Sequence, residues 1–119
     1  MKIESVVAFR DQPVPAGPFI TPPERLLEGN PVQTIANYFT DDSEKLISGV
    51  WESGPGKWQA VSDRNEFCYI LSGRVVIADD QGGAKTFTAG DAFVIPKGFQ
   101  GTWEVLEDAR KYYVILSTD

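Results

Sequence analysis

At 119 residues the chain has room for one domain, since two would each be too small to bury a good core. It carries a net charge of −6, no histidine and a single cysteine, Cys68. The acidity and the absence of any basic cluster argue against nucleic acid as a partner, the lone thiol excludes an intramolecular disulfide or a zinc knuckle, and the missing imidazole removes histidine-based triads and histidine-held metals.

Three Trp, four Tyr and seven Phe are enough for a packed interior. No apolar run approaches the roughly 20 residues that a bilayer needs, which argues against a membrane partner. The apolar stretch Val6 to Phe9 is short and followed by charge, unlike a secretion signal, so the expected location is cytoplasmic.

Residues 1–31 form a Pro-rich N-terminal arm, with Pro13, Pro15, Pro18, Pro22 and Pro23 favouring extended or turn backbone. A strand is expected at Ser5 to Phe9, and a short helical turn from Pro22, because proline is tolerated at a helix start. The arm either lies over the body or a dimer partner, or is a flexible tail. Residues 32–119 form the main domain. Strands are expected at 33–39, 46–52, 57–61, 66–71, 74–79, 84–88, 92–95, 101–106 and 111–116. Turn residues separate them, among them Asp41-Asp42-Ser43, Gly54-Pro55-Gly56, Ser72-Gly73, Gly82-Gly83, Gly90-Asp91 and Pro96-Lys97-Gly98. No sustained helical period follows Val32. The fold class is all-β, a sandwich or barrel.

Two segments narrow the barrel. Residues 54–73 read GPGKWQAVSDRNEFCYILSG and residues 90–105 read GDAFVIPKGFQGTWEV, each a strand, a glycine-controlled turn and a returning strand. They resemble the two motifs of the cupin superfamily. The match is best with small cupins related to the cupin domains of ureidoglycine aminohydrolase and of ethanolamine-utilisation proteins. The resemblance runs from about Asn37 to the C-terminus and includes Gly49-Val50-Trp51-Glu52, Glu66-Phe67-Cys68-Tyr69, Gly90-Asp91, Pro96-Lys97-Gly98 and Gly101-Thr102-Trp103-Glu104. It implies a cupin-type double-stranded β-helix (jelly-roll) barrel and a homodimer, often with N-terminal strands added to the partner's sheet. It also implies four metal-ligand positions, which fall here on Ala60, Ser62, Glu66 and Gly101, with Gly73 closing the first motif. A lone carboxylate cannot hold a divalent transition metal, which normally needs three or four protein donors. The expectation is therefore no metal and no cofactor.

Strand side chains alternate between faces, so the inward set should be Trp58, Ala60 and Ser62, then Glu66, Cys68 and Ile70, then Gly101, Trp103 and Val105. Small Ala60, Ser62 and Gly101 would leave open the space that histidines and a metal would fill. Burial disfavours an isolated carboxylate's charge, which would suit Glu66 to general acid–base work. It is equally suited to accept a hydrogen bond from an amine or ureido N–H, or only to satisfy buried donors. Cys68 lacks a neighbouring base and reads first as a small buried hydrophobe. Trp58 and Trp103 are candidate pocket walls, whereas Trp51 and Phe93 read as core. Asp91 reads as a turn cap, and Arg110 and Lys111 as a solvated strand end, with anion recognition the alternative.

The functional reading is a metal-free small-molecule-binding domain, its unidentified ligand held by Trp58, Ser62, Glu66, Cys68 and Trp103. A metal-independent isomerase or hydrolase of a small nitrogenous or sugar-like compound, with Glu66 catalytic, is the alternative. A structural dimerisation module is the third.

Overall fold

A computed structural model describes residues 1–11 and 14–118; Gln12, Pro13 and Asp119 lie outside it, and with them one arm proline and the last residue of the main domain. Nine strands make up the described chain: β1 (Gly17–Phe19), β2 (Leu26–Glu28), β3 (Gln33–Thr40), β4 (Leu46–Ser53), β5 (Gly56–Val61), β6 (Asn65–Ala78), β7 (Ala84–Thr88), β8 (Ala92–Ile95) and β9 (Gln100–Leu116). The helical content is two 3-10 turns, Ile3–Ser5 and Pro23–Arg25. Among the described residues no helix is long and apolar enough to cross a membrane.

The long strands β6 and β9 pair antiparallel along their length and form the spine. The C-terminal half of β9 takes β4 on its other side, followed by β3 and β1, while its N-terminal half takes β5 and then β2. The two halves of β6 likewise carry β8 and β7. One curled antiparallel sheet thus supplies both layers of a cupin-type jelly roll. The core between the layers holds Trp51, Trp58, Cys68, Ile70, Val75, Trp103, Val105 and Tyr113.

One expected turn and one expected gap between strands do not occur. Ser72-Gly73 lies inside β6, and residues 107–110 lie inside β9. Gly73 has φ +89°, and a Cβ there would sit 2.2 Å from the Asp108 carbonyl oxygen. Its conformational freedom is used to bend a continuous strand, with register shifts on either side of it, rather than to reverse the chain. The arm also differs from expectation. Ser5 to Phe9 is not a strand, whereas β1 pairs with β3 and β2 with β5 through short segments that carry too few residues for an alternation to show. The turn expected after Pro22 is present as the 3-10 turn Pro23–Arg25. Asp91 caps its turn as its position implies, its Oδ2 accepting the Thr88 N–H at 2.8 Å.

Candidate functional site

The inward faces of β4, β5, β6 and β9, with residues of the arm at the rim, line an open cavity of about 220 Å³. All three tryptophans line it, with Phe19, Arg25, Gln33, Ala60, Ser62, Arg64, Glu66, Lys111 and Tyr113 among the other contributors. Register explains the grouping. Trp58 lies directly across from Trp103 on β5 and β9, and Trp51 directly across from Lys111 on β4 and β9. The three indoles pack at angles, Trp51 with its ring centroid 5.7 Å from Trp103 and 6.3 Å from Trp58. Trp51 Nε1 donates to Gln33 Oε1 at 2.9 Å, and Gln33 Nε2 donates in turn to Thr21 Oγ1, tying the arm to the cavity wall.

The chemical centre is a buried ion pair. Lys111 Nζ donates to Glu66 Oε2 at 2.7 Å, with the lysine side chain 6% exposed and the glutamate 22%. The ammonium also lies 4.2 Å from the Trp103 ring centroid and 4.8 Å from that of Trp51, and it donates to Cys68 Sγ at 3.5 Å. The Cys68 thiol donates to the same Glu66 oxygen at 3.3 Å. Burial alone would lower the Lys111 pKa, but the Glu66 carboxylate and then Cys68 outweigh it and hold it above the usual lysine value. The same burial, assisted by the Glu66 charge, pushes the Cys68 thiol up to about 12, so it is a protonated donor and not a nucleophile at neutral pH. Tyr113 is pushed up to about 12 by burial and by Glu66, against the opposing charge of Arg64. Its hydroxyl donates to Asn37 Oδ1 at 2.9 Å.

Several expectations change here. Lys111 is not part of a solvated strand end: Ala109, Lys111, Tyr113 and Ile115 are the inward residues of β9, and only Arg110 stands outside, paired with Glu52 at 3.0 Å. Trp58, Ser62, Glu66 and Trp103 line the cavity, and Trp51 joins them while also being core. Cys68 does not line it; at 0% exposure it lies behind the wall, touching Glu66 and Lys111. Gly101 leaves no vacant space, because a Cβ there would sit 2.0 Å from the Ala78 carbonyl oxygen and 2.7 Å from the Phe99 ring. Phe93 is half-buried and stacked on Phe87 at 3.9 Å. A larger cleft of about 620 Å³ lies by β7 and β8, but its lining is mostly apolar and its one carboxylate, Asp79, is committed to turn N–H groups of Gln81 and Gly83. The tryptophan cavity is where aromatic walls meet a buried ion pair, and it is the better candidate site.

The metal implied by a cupin barrel does not fit these residues. Of the four ligand positions only Glu66 offers a strong donor, and its Oε2 already takes an ammonium and a thiol. Among the described residues no group of three His, Cys, Asp or Glu is placed to hold an ion. A lysine cation stands beside the one surviving carboxylate.

The fold and this site define a small cupin whose barrel interior carries an internal ion pair. The family model for the EutQ-like cupin domain matches residues 40–113, and the chain belongs to that family. Its structure is similar to that of a protein of unknown function from Pseudomonas syringae, with 26% identity and a TM-score of 0.78 over 88% of this chain. This chain spans only 46% of that protein's length. The EutQ protein of Clostridium difficile is 27% identical, with a TM-score of 0.67 over 85% of this chain and 82% of its own. A Thermotoga maritima protein is 38% identical over 54% of this chain and 73% of its own, with a TM-score of 0.52. No curated protein gave a match.

Arg25, Gln33 and Tyr113 were not among the sequence candidates for the site, and Lys111 was read first as a solvated strand end, with anion recognition the alternative. Lys111 had a signal: it shares the inward parity of Tyr113 and Ile115 in an otherwise apolar alternation, and a lysine there needs an acid such as Glu66. Arg25 had none, since its placement depends on where the arm folds back, and Gln33 of β3 had none, since its bond to Trp51 depends on the pairing of β3 with β4.

Proposed function

We propose that the chain is a metal-independent small-molecule-binding cupin, with its ligand in the tryptophan cavity beside Glu66 and Lys111. The observation that carries this reading is a cavity walled by three indoles with an ion pair at its side. Its volume lies below the roughly 300–1,000 Å³ of sites for drug-sized molecules, which points to a small metabolite. Trp58, Ser62, Glu66 and Trp103 are the contact residues of this reading, with Trp51 and Lys111 added. Because every tryptophan in the chain lines the cavity, tryptophan emission reports on it. Titration with a metabolite panel should shift emission and raise Tm for at least one compound, and Ala60→Leu, which fills the space, should abolish both responses. A panel that moves neither quantity in the wild type would remove the reading.

Catalysis by Glu66 stands second, favoured by one detail. Both recorded contacts fall on Oε2, while Oε1 has no hydrogen bond among the described residues and is not a buried orphan. Mass spectrometry of a bound compound after incubation separates the two readings: binding returns it unchanged, and catalysis converts it.

We also propose self-association into a homodimer through the outer sheet face. Val94, Phe67 and Val114 lie side by side across β8, β6 and β9, and Tyr69 and Tyr112 form the next row, all facing outward. Phe9 of the arm already stacks on Tyr38 at 4.4 Å and packs against Tyr112 at 5.6 Å, while Met1, Ile3 and Val6 project apolar side chains into solvent. An apolar arm and an apolar face on one chain complement a second copy. Light scattering should give twice the chain mass, reduced to one by Phe67→Glu with Val114→Glu. A wild type that stays monomeric at tens of micromolar, a concentration at which a standard-size interface is normally occupied, overturns it.

A further inference from the structure

The tryptophan cavity carries a charge opposite to that of the chain around it. The sequence has a net charge of −6, yet the cavity lining contains Arg25, Arg64 and Lys111 against a single acid, Glu66. Lys111 and Glu66 neutralise one another at 2.7 Å, so the excess positive charge belongs to the two arginines. They come from separate elements, Arg25 from the 3-10 turn of the arm and Arg64 from the loop between β5 and β6.

Neither guanidinium is used up. Arg64 meets Asp63 through Nε alone at 3.5 Å, which leaves its terminal nitrogens free to donate. Arg25 has no ion pair among the described residues. The Arg64 charge reaches the interior, where it opposes the upward shift of Tyr113. Two forked cationic donors beside an apolar wall are suited to a planar carboxylate. The remaining recognition group is of the other kind. Glu66 Oε1 is an open carboxylate acceptor, and it repels a second carboxylate while attracting an N–H or O–H. The indoles that line the cavity suit a flat or apolar body.

We propose that the cavity binds a small organic acid that also carries a hydroxyl or amino donor, with its carboxylate on the arginines and its donor on Glu66 Oε1. This rests on the reading of the cavity as a ligand site, and it names the class of ligand. The volume of about 220 Å³ suits a small ligand.

The test is a tryptophan-emission titration of the full chain with matched sets of probes. Each set holds a hydroxy acid, its amide, and the acid without the hydroxyl: mandelate, mandelamide and phenylacetate; lactate, lactamide and propionate. The hydroxy acids should bind at least about tenfold more tightly than either partner, the scale of one charge-assisted hydrogen bond. Arg25→Gln with Arg64→Gln alters exposed positions and should leave the melting temperature in place while erasing the preference for acid over amide. Amides that bind as well as acids, or panel binders that are all neutral or cationic, overturn the proposal and leave the cavity a ligand site. No response from any compound in the wild type removes the cavity reading itself.

Discussion

Replacing Lys111 with methionine should cost about 3–5 kcal/mol of stability, because it leaves the Glu66 carboxylate in the barrel with no counter-charge. Methionine matches the length of the lysine stem, so little of the loss comes from packing. The ammonium meets four partners at once: the carboxylate at 2.7 Å, the Cys68 sulfur at 3.5 Å and the faces of Trp51 and Trp103. With Glu66 22% exposed, some water reaches the orphaned charge and the loss should fall toward the lower end of that range. The double variant Lys111→Met with Glu66→Leu removes both charges and should recover most of the loss, since well-packed apolar groups often replace a buried pair at no cost. Urea denaturation midpoints at constant slope give the comparison. A single variant within about 1 kcal/mol of wild type, a loss typical of an exposed pair, would show that the pair is solvated. A double variant no more stable than the single would show that the loss is one of shape and not of charge.

Alkaline pH should weaken the wild type more than a variant lacking the thiol. The folded chain raises Cys68 from 9.0 to about 12, chiefly through burial. Between those values the folded state keeps the thiol proton and the unfolded chain has lost it. Stability from this group is therefore complete below pH 9 and declines as pH rises toward 12. At about 1.4 kcal/mol per pH unit, the decline between pH 9 and 11 is on the order of 3 kcal/mol. Lys111 and Tyr113 are also raised, and they add losses of the same sign at the upper end of the window. Cys68→Ala should sit lower than wild type at pH 7 through lost packing, yet fall less steeply from pH 9 to 11. Two denaturation curves that fall in parallel would mean that the thiol is as accessible folded as unfolded.

Much of the barrel could be read along the chain. Strands β3, β4, β5, β7 and β8 fall within a residue of expectation, because each is a short apolar alternation bounded by turn residues. The longer strands were cut in two for an understandable reason. Ser72-Gly73 has the chemistry of a turn, but a positive-φ glycine also permits a bulge, and only pairing along β9 selects the bulge. The site shows the same division. Parity placed Trp58, Ser62, Glu66 and Trp103 toward one interior, and the cavity is lined by all four. Parity within a strand says nothing about which side chain from a distant strand meets Glu66, and Lys111 is 45 residues away.

The sequence alone determined an all-β chain with two glycine-punctuated motifs that resemble those of cupins, and it determined that histidine chemistry is absent. Both are local properties: turn conformations depend on individual residues, and a missing side chain is missing in any fold. The tertiary structure decided what stands in the barrel instead. It set Lys111 against Glu66, moved Cys68 behind the wall, filled the space at Gly101 with the Ala78 carbonyl and the Phe99 ring, and brought Arg25 of the arm and Gln33 of β3 to the cavity. Those outcomes depend on the register between strands far apart in the chain, and register is fixed by the packing of the whole sheet.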